Sequence, residues 1–114
     1  MRIDVFKTFD GVSYYGDIPQ SFGLDDAIVE SKRYSFDVPW SMLSDFALLI
    51  DDACDVALDA FDVEYIRYEK CNKLIDLLNT ISYPEYKEME KFIADLKVAA
   101  KRAIEYGTGV VVEL

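Results

Sequence analysis

Histidine is absent from this 114-residue chain. That removes Ser-His-Asp and Cys-His catalysis, histidine zinc sites and the usual general base near neutral pH. Cysteine is scarce: Cys54 and Cys71 stand alone, and two thiolates without histidine do not complete a structural zinc site. Both lie among apolar neighbours at helix-like spacing, so the expectation is two reduced, buried thiols in a cytoplasmic protein rather than a disulfide. The five glycines are scattered, and no Gly-Lys-Ser/Thr loop exists to cradle a phosphate. No apolar run approaches the ~20 residues that cross a bilayer. The opening MRIDVFKTFDG lacks the basic-then-apolar order of a secretory leader.

The most informative absence is of positive charge. No Lys or Arg occurs between Arg33 and Arg67, while Asp37, Asp45, Asp51, Asp52, Asp55, Asp59, Asp62 and Glu64 all fall there. Residues 1–33 carry a net −2 and residues 67–114 are neutral, so −8 of the total −10 sits in this one third of the chain. Such a balance argues against direct binding of nucleic acid, which wants a basic footprint, and against anionic membrane surfaces. With 52% apolar and 14% aromatic residues, the chain is nevertheless expected to fold as one domain with a real core.

A helix drawn through Ser41–Asp59 turns about 100° per residue. Asp45, Asp52, Asp55 and Asp59 then share one side, with Asp51 at its edge. Leu43, Phe46, Ile50, Ala53, Cys54 and Ala57 lie opposite, enough to hold the helix on a core. Leu48 falls in the middle of the acidic side. A lone exposed leucine is common, but ringed by carboxylates it can anchor a partner that the aspartates steer. Ser41 is the expected N-cap and Ala60 the expected end of this helix.

In chain order, residues 2–9 alternate as a strand, Asp10-Gly11 turns, and Val12–Tyr15 can return as a hairpin arm. Gly16–Asp26 reads as loop and Lys32–Val38 as a strand with Tyr34, Phe36 and Val38 on one face. Asp62 can cap a second helix carrying Tyr68, Cys71, Leu74, Ile75 and Leu78, although Val63–Tyr68 is also rich in β-formers. Pro84 opens a third helix, which Gly107 stops. Thr108–Leu114, with three successive valines, reads as a strand covered on both faces or inside the sheet, or as one that pairs with a second copy to give a homodimer. The expected class is α+β: three or four strands, antiparallel or mixed, on three helices, closed by the C-terminal strand. Tyr14, Tyr15, Phe22, Tyr34, Phe36 and Trp40 could line a pocket, but strand aromatics usually pack in the core or pair across strands.

Asp51-Asp52-Ala53-Cys54-Asp55 resembles the DDxxD motif with which isoprenyl diphosphate synthases hold Mg²⁺. The resemblance covers five residues and implies a magnesium-dependent enzyme using Asp51, Asp52 and Asp55. Two features of that family are missing: its much greater chain length and a second DDxxD. The reading preferred from sequence is non-catalytic, without cofactor or metal. Asp45, Leu48, Asp51, Asp52, Asp55, Asp59 and Asp62 would form a docking surface for a basic protein, such as a nuclease or other nucleic-acid-handling protein, with the carboxylates in place of phosphates. In size and charge such a chain resembles bacterial toxin-immunity proteins and phage-encoded inhibitors. The alternative is an assembly subunit whose basic partner is not an enzyme.

Overall fold

The valine run forms the middle of the sheet. In a computed structural model describing residues 1–59 and 62–114, the strand β6 (Gly109–Glu113) lies between β1 (Arg2–Phe6) and β5 (Val63–Arg67), and β1 is flanked on its other side by β4 (Val29–Arg33). All three pairings are antiparallel. Val110 and Val112 face one side, Val111 the other, and all three are buried. The helices α1 (Trp40–Cys54), α2 (Tyr68–Leu78) and α3 (Lys87–Tyr106) complete an α+β fold. With β1 on one side and β5 on the other, β6 has no edge left for a second copy.

Two cores result. Ile3, Val5, Ile66, Val110 and Val112 meet the helices, whose buried stripes include Phe46, Ile50, Leu74, Phe92 and Leu96. Helix α3 lies against β1 and β6, α2 beside it, and α1 mainly against α2. Phe92 ties the layers together, with its ring 5.0 Å from Tyr34 and 6.3 Å from Phe46. The opposite sheet face is covered by the excursion between β1 and β4. There Phe9, Val12, Ile18 and Leu24 close over Phe6, Val29 and Val111. The carboxylate of Asp4 is buried on this face, where Ser31 Oγ donates to it at 2.6 Å and Arg2 Nε lies 3.0 Å away as an ion pair of off-line geometry.

Several expectations are corrected. Val12–Tyr15 does not return along β1, whose two sides are taken by β4 and β6. Instead β2 (Tyr14–Tyr15) pairs with β3 (Ile18–Pro19) in a separate ribbon, inside a stretch read partly as loop. The strand expected at Lys32–Val38 starts earlier and stops at Arg33, because the ladder to β1 runs out where Tyr34 N–H meets Met1 C=O at 2.9 Å. Tyr34, Phe36 and Val38 still pack on the core, but beyond the end of the strand. Val63–Arg67 is a strand, and α2 begins only at Tyr68 without a side-chain cap. Asp62 therefore caps no helix, and its Oδ1 accepts the Val63 N–H at 2.8 Å. Pro84 lies before α3 rather than in its first turn. Gly107 does end α3, in the left-handed conformation at φ 68°, where a side chain would be strained.

Candidate functional site

Helix α1 is shorter than its periodicity suggests. Trp40, directly after Pro39, is its first residue, and Ser41 does not cap it. It ends at Cys54, where Asp55 turns left-handed at φ 54° and gives its N–H to Asp51 C=O. The expected terminus at Ala60 lies outside the described residues. Asp51 holds the turn that follows, its C=O taking the Asp55 N–H and its carboxylate the Leu58 N–H. Carboxylates crowd the C-terminal turn, where the helix dipole already presents its negative end, and no basic residue of α1 offsets them. Lys70 of α2 supplies the missing cation by donating its ammonium to Asp55 C=O at 3.1 Å.

This ending separates the aspartates that a longer helix would align. Asp45 and Asp52 remain on the exposed face of α1, and Leu48 stands between them, three residues from one and four from the other. Asp55 and Asp59 are exposed in the segment after the helix, and Asp62 is exposed directly before β5. Asp51 turns back instead: its Oδ1 accepts the Leu58 N–H at 2.5 Å, so that Leu58 is buried. Burial pushes the Asp51 carboxyl above the ordinary range. The Leu58 hydrogen bond opposes that rise, and the charges of Asp59, Asp52 and Glu64 add to it. Asp51 is thus a structural residue beside the acidic surface.

The apolar part of the face is larger than sequence reasoning allowed. Leu48 is 55% exposed, Trp40 62% and Leu49 37%. At about 100° per residue Leu48 takes the centre of the exposed face, with Trp40 and Leu49 at its two borders. The reading of Trp40 as packing is corrected, as is the core reading of Tyr14, Tyr15 and Phe22, which are also exposed. Spacing gave no signal of the Trp40 exposure, since Trp40 lies three residues before buried Leu43 and seven before buried Ala47, at the border of the core stripe.

Charge pairing sets this region apart. Every ion pair among the described residues uses a carboxylate outside the acidic stretch: Asp4, Glu30, Glu69, Asp95 or Glu113. None of the eight acids between Arg33 and Arg67 meets a basic side chain among those residues. Nor do Asp51, Asp52 and Asp55 assemble a cation site. Among the described residues no three metal-ligating carboxylates or thiols converge, since Asp51 is engaged with Leu58 and Asp55 has left the helix.

The remaining reactive groups are quiet. Cys54 and Cys71 are free and buried, and burial pushes their thiols up to about 11 and about 12. A cleft of about 320 Å³ lies between β4 and α3, lined by Ile3, Val5, Lys32, Tyr34, Asp95 and Arg102 among others. Its cations are paired within the fold, Lys32 with Asp95 at 2.9 Å and Arg102 with Glu30 at 3.2 Å. No described helix is long and apolar enough to cross a membrane. Comparisons with protein-family models, with curated proteins and with solved structures found no match.

Proposed function

We propose that the protein is a non-catalytic binding protein whose α1 face docks on a basic surface of another protein and blocks it. The observation that carries this reading is the combination of unpaired carboxylates with exposed apolar side chains on one helix. Uncompensated charge opposes the compact state by self-repulsion, and the apolar surface that Trp40, Leu48 and Leu49 leave exposed adds nothing to folding. Both become useful when a cationic partner covers them. Trp40, Leu48 and Leu49 would supply the desolvated contact, with Asp45 and Asp52 flanking it and Asp55, Asp59 and Asp62 extending the negative field. A surface evolved to hold phosphates is a fitting partner, as in the cleft of a nucleic-acid-handling enzyme. This is how toxin-immunity proteins and phage inhibitors work, which the chain resembles in size and charge.

The test is capture of partners from source cells by the wild type, Asp45→Asn/Asp52→Asn and Trp40→Ala/Leu48→Ala. The reading expects one basic protein retained by the wild type and released by salt. Its affinity should fall about tenfold or more in either variant, since 1.4 kcal/mol is a factor of ten and hot-spot truncations often exceed that. Assaying the purified partner with and without this protein then separates inhibition from simple assembly. Equal capture by all three forms sinks the reading.

A further inference from the structure

The two edges of the sheet are finished differently. Leu114 N–H to Asp62 C=O (3.0 Å) and Tyr68 N–H to Thr108 C=O (3.1 Å) fix the phase of the β5–β6 ladder, so the odd-numbered residues of β5 direct their backbone groups outward. Two of these N–H groups are already occupied: Val63 donates to the Asp62 carboxylate at 2.8 Å and Tyr65 to that of Glu64 at 2.9 Å. On β4, Tyr34 N–H to Met1 C=O and Lys7 N–H to Ile28 C=O (2.7 Å) fix the phase likewise. There Ser31 and Arg33 direct N–H and C=O outward, and neither N–H has an acceptor among the described residues. On β5 the side chains thus take two of the three outward N–H groups, whereas on β4 only that of Val29 is taken, by Asp25 C=O at 3.1 Å, and the edge is open at Ser31 and Arg33.

We propose that the open edge of β4 binds a second copy of this chain, antiparallel, about a two-fold axis through Ser31. The register follows from charge. With Ser31 facing Ser31 of the second copy, Glu30 lies opposite Lys32 and Lys32 opposite Glu30, two opposite-charge cross-strand pairs. Sliding one copy by two residues either way keeps the hydrogen-bond phase but sets Glu30 against Glu30 or Lys32 against Lys32. Charges on an edge strand ordinarily prevent pairing. Here they forbid the neighbouring registers and permit one. Four hydrogen bonds form, two between the Ser31 residues and two from Arg33 N–H to Val29 C=O across the axis.

The surroundings suit the arrangement. Glu30 is held by Arg102 of α3, and Lys32, 55% exposed in its side chain, by Asp95. The new pairs therefore extend existing ion pairs on the same sheet face. Val98 of α3, exposed on the rim of the cleft, lies where the second copy would cover it. Asp62 and Glu64 lie on the opposite edge of the sheet, so pairing through β4 keeps those charges apart. The proposal is independent of what α1 binds.

Sedimentation equilibrium of the full chain from about 5 µM to about 0.5 mM spans the range in which an interface this small should fill. The wild type should pass from monomer to dimer without larger species. Lys32→Glu and Glu30→Lys, each of native far-UV circular dichroism, should each remain monomeric, because each faces like charge across the axis. An equimolar mixture of the two should dimerise again, since both cross pairs are then opposite in sign. Arg33→Pro removes an outward N–H without touching the ladder to β1 and should weaken association at least tenfold. A wild type monomeric throughout overturns the proposal. So does dimerisation of either charge variant alone at the wild-type concentration.

Discussion

Two aspartates show how far placement alone sets the behaviour of one residue type. Asp95 accepts from Lys32 and Lys91 at 2.9 Å and from the Tyr34 hydroxyl at 2.7 Å. Burial pushes its carboxyl up, but these donors outweigh burial and hold it down at about 2. Asp51, with one backbone donor and acidic neighbours, moves the other way. The Asp95 shift makes stability depend on pH. A depressed carboxylate stabilises the fold above its unfolded value of about 4, and that contribution disappears as pH falls toward 2. Asp95→Asn should therefore lower unfolding free energy at pH 7 by roughly 1–2 kcal/mol after allowance for solvent screening. Urea titrations of both forms should show the gap closing near pH 2, and a gap of constant size would refute the assignment.

Among the elements, β6 was the most legible and α1 the least. Three adjacent valines have no period, so their strand had to be covered on both sides, and it is. Gly107 ended α3 because a left-handed residue was needed there. The end of α1 was misread because its apolar spacing continues past Cys54, whereas Asp55 turns left-handed and the Asp51 carboxylate takes the Leu58 N–H. The exposed face suffered accordingly: Asp45, Leu48 and Asp52 lie on the helix as expected and Asp51 at its edge, Asp55 and Asp59 fall beyond it, and Trp40 was missed. Strand pairing was beyond local pattern, since β1 is matched to residues 29–33 and 109–113 rather than to the adjacent Val12–Tyr15. Gly109 escaped notice for the same reason. A Cβ there would lie 2.4 Å from the Tyr65 ring and 2.6 Å from Ile66 C=O, and the carbonyl belongs to the β5 backbone. Gly109→Ala should cost about 2 kcal/mol or more, as overpacking against backbone does, and thermal melts would read it directly. An unchanged melting temperature would show that β5 and β6 can separate freely there.

Across the molecule, charge is segregated: paired around β4 and α3, unpaired from α1 to β5. Raising ionic strength from about 0.01 M to about 0.2 M shortens the screening length from roughly 30 Å to below 10 Å. The melting temperature should rise by about 2–5 °C, and Asp52→Asn/Asp55→Asn/Asp59→Asn should reproduce most of that gain at low salt. A flat response would mean the repulsion is already relieved within the fold. The position of β6 carries a consequence for biosynthesis. Of the four strands of this sheet it is the last to be synthesised, and it is the strand that hydrogen-bonds to both β1 and β5. Until it emerges, β1 has a neighbour on one side only and β5 has none in the sheet. The nascent chain is thus exposed to chaperones and proteases until Gly109–Glu113 is delivered. Premature termination within those five residues would yield a polypeptide lacking its central strand, to be degraded rather than to work at reduced strength.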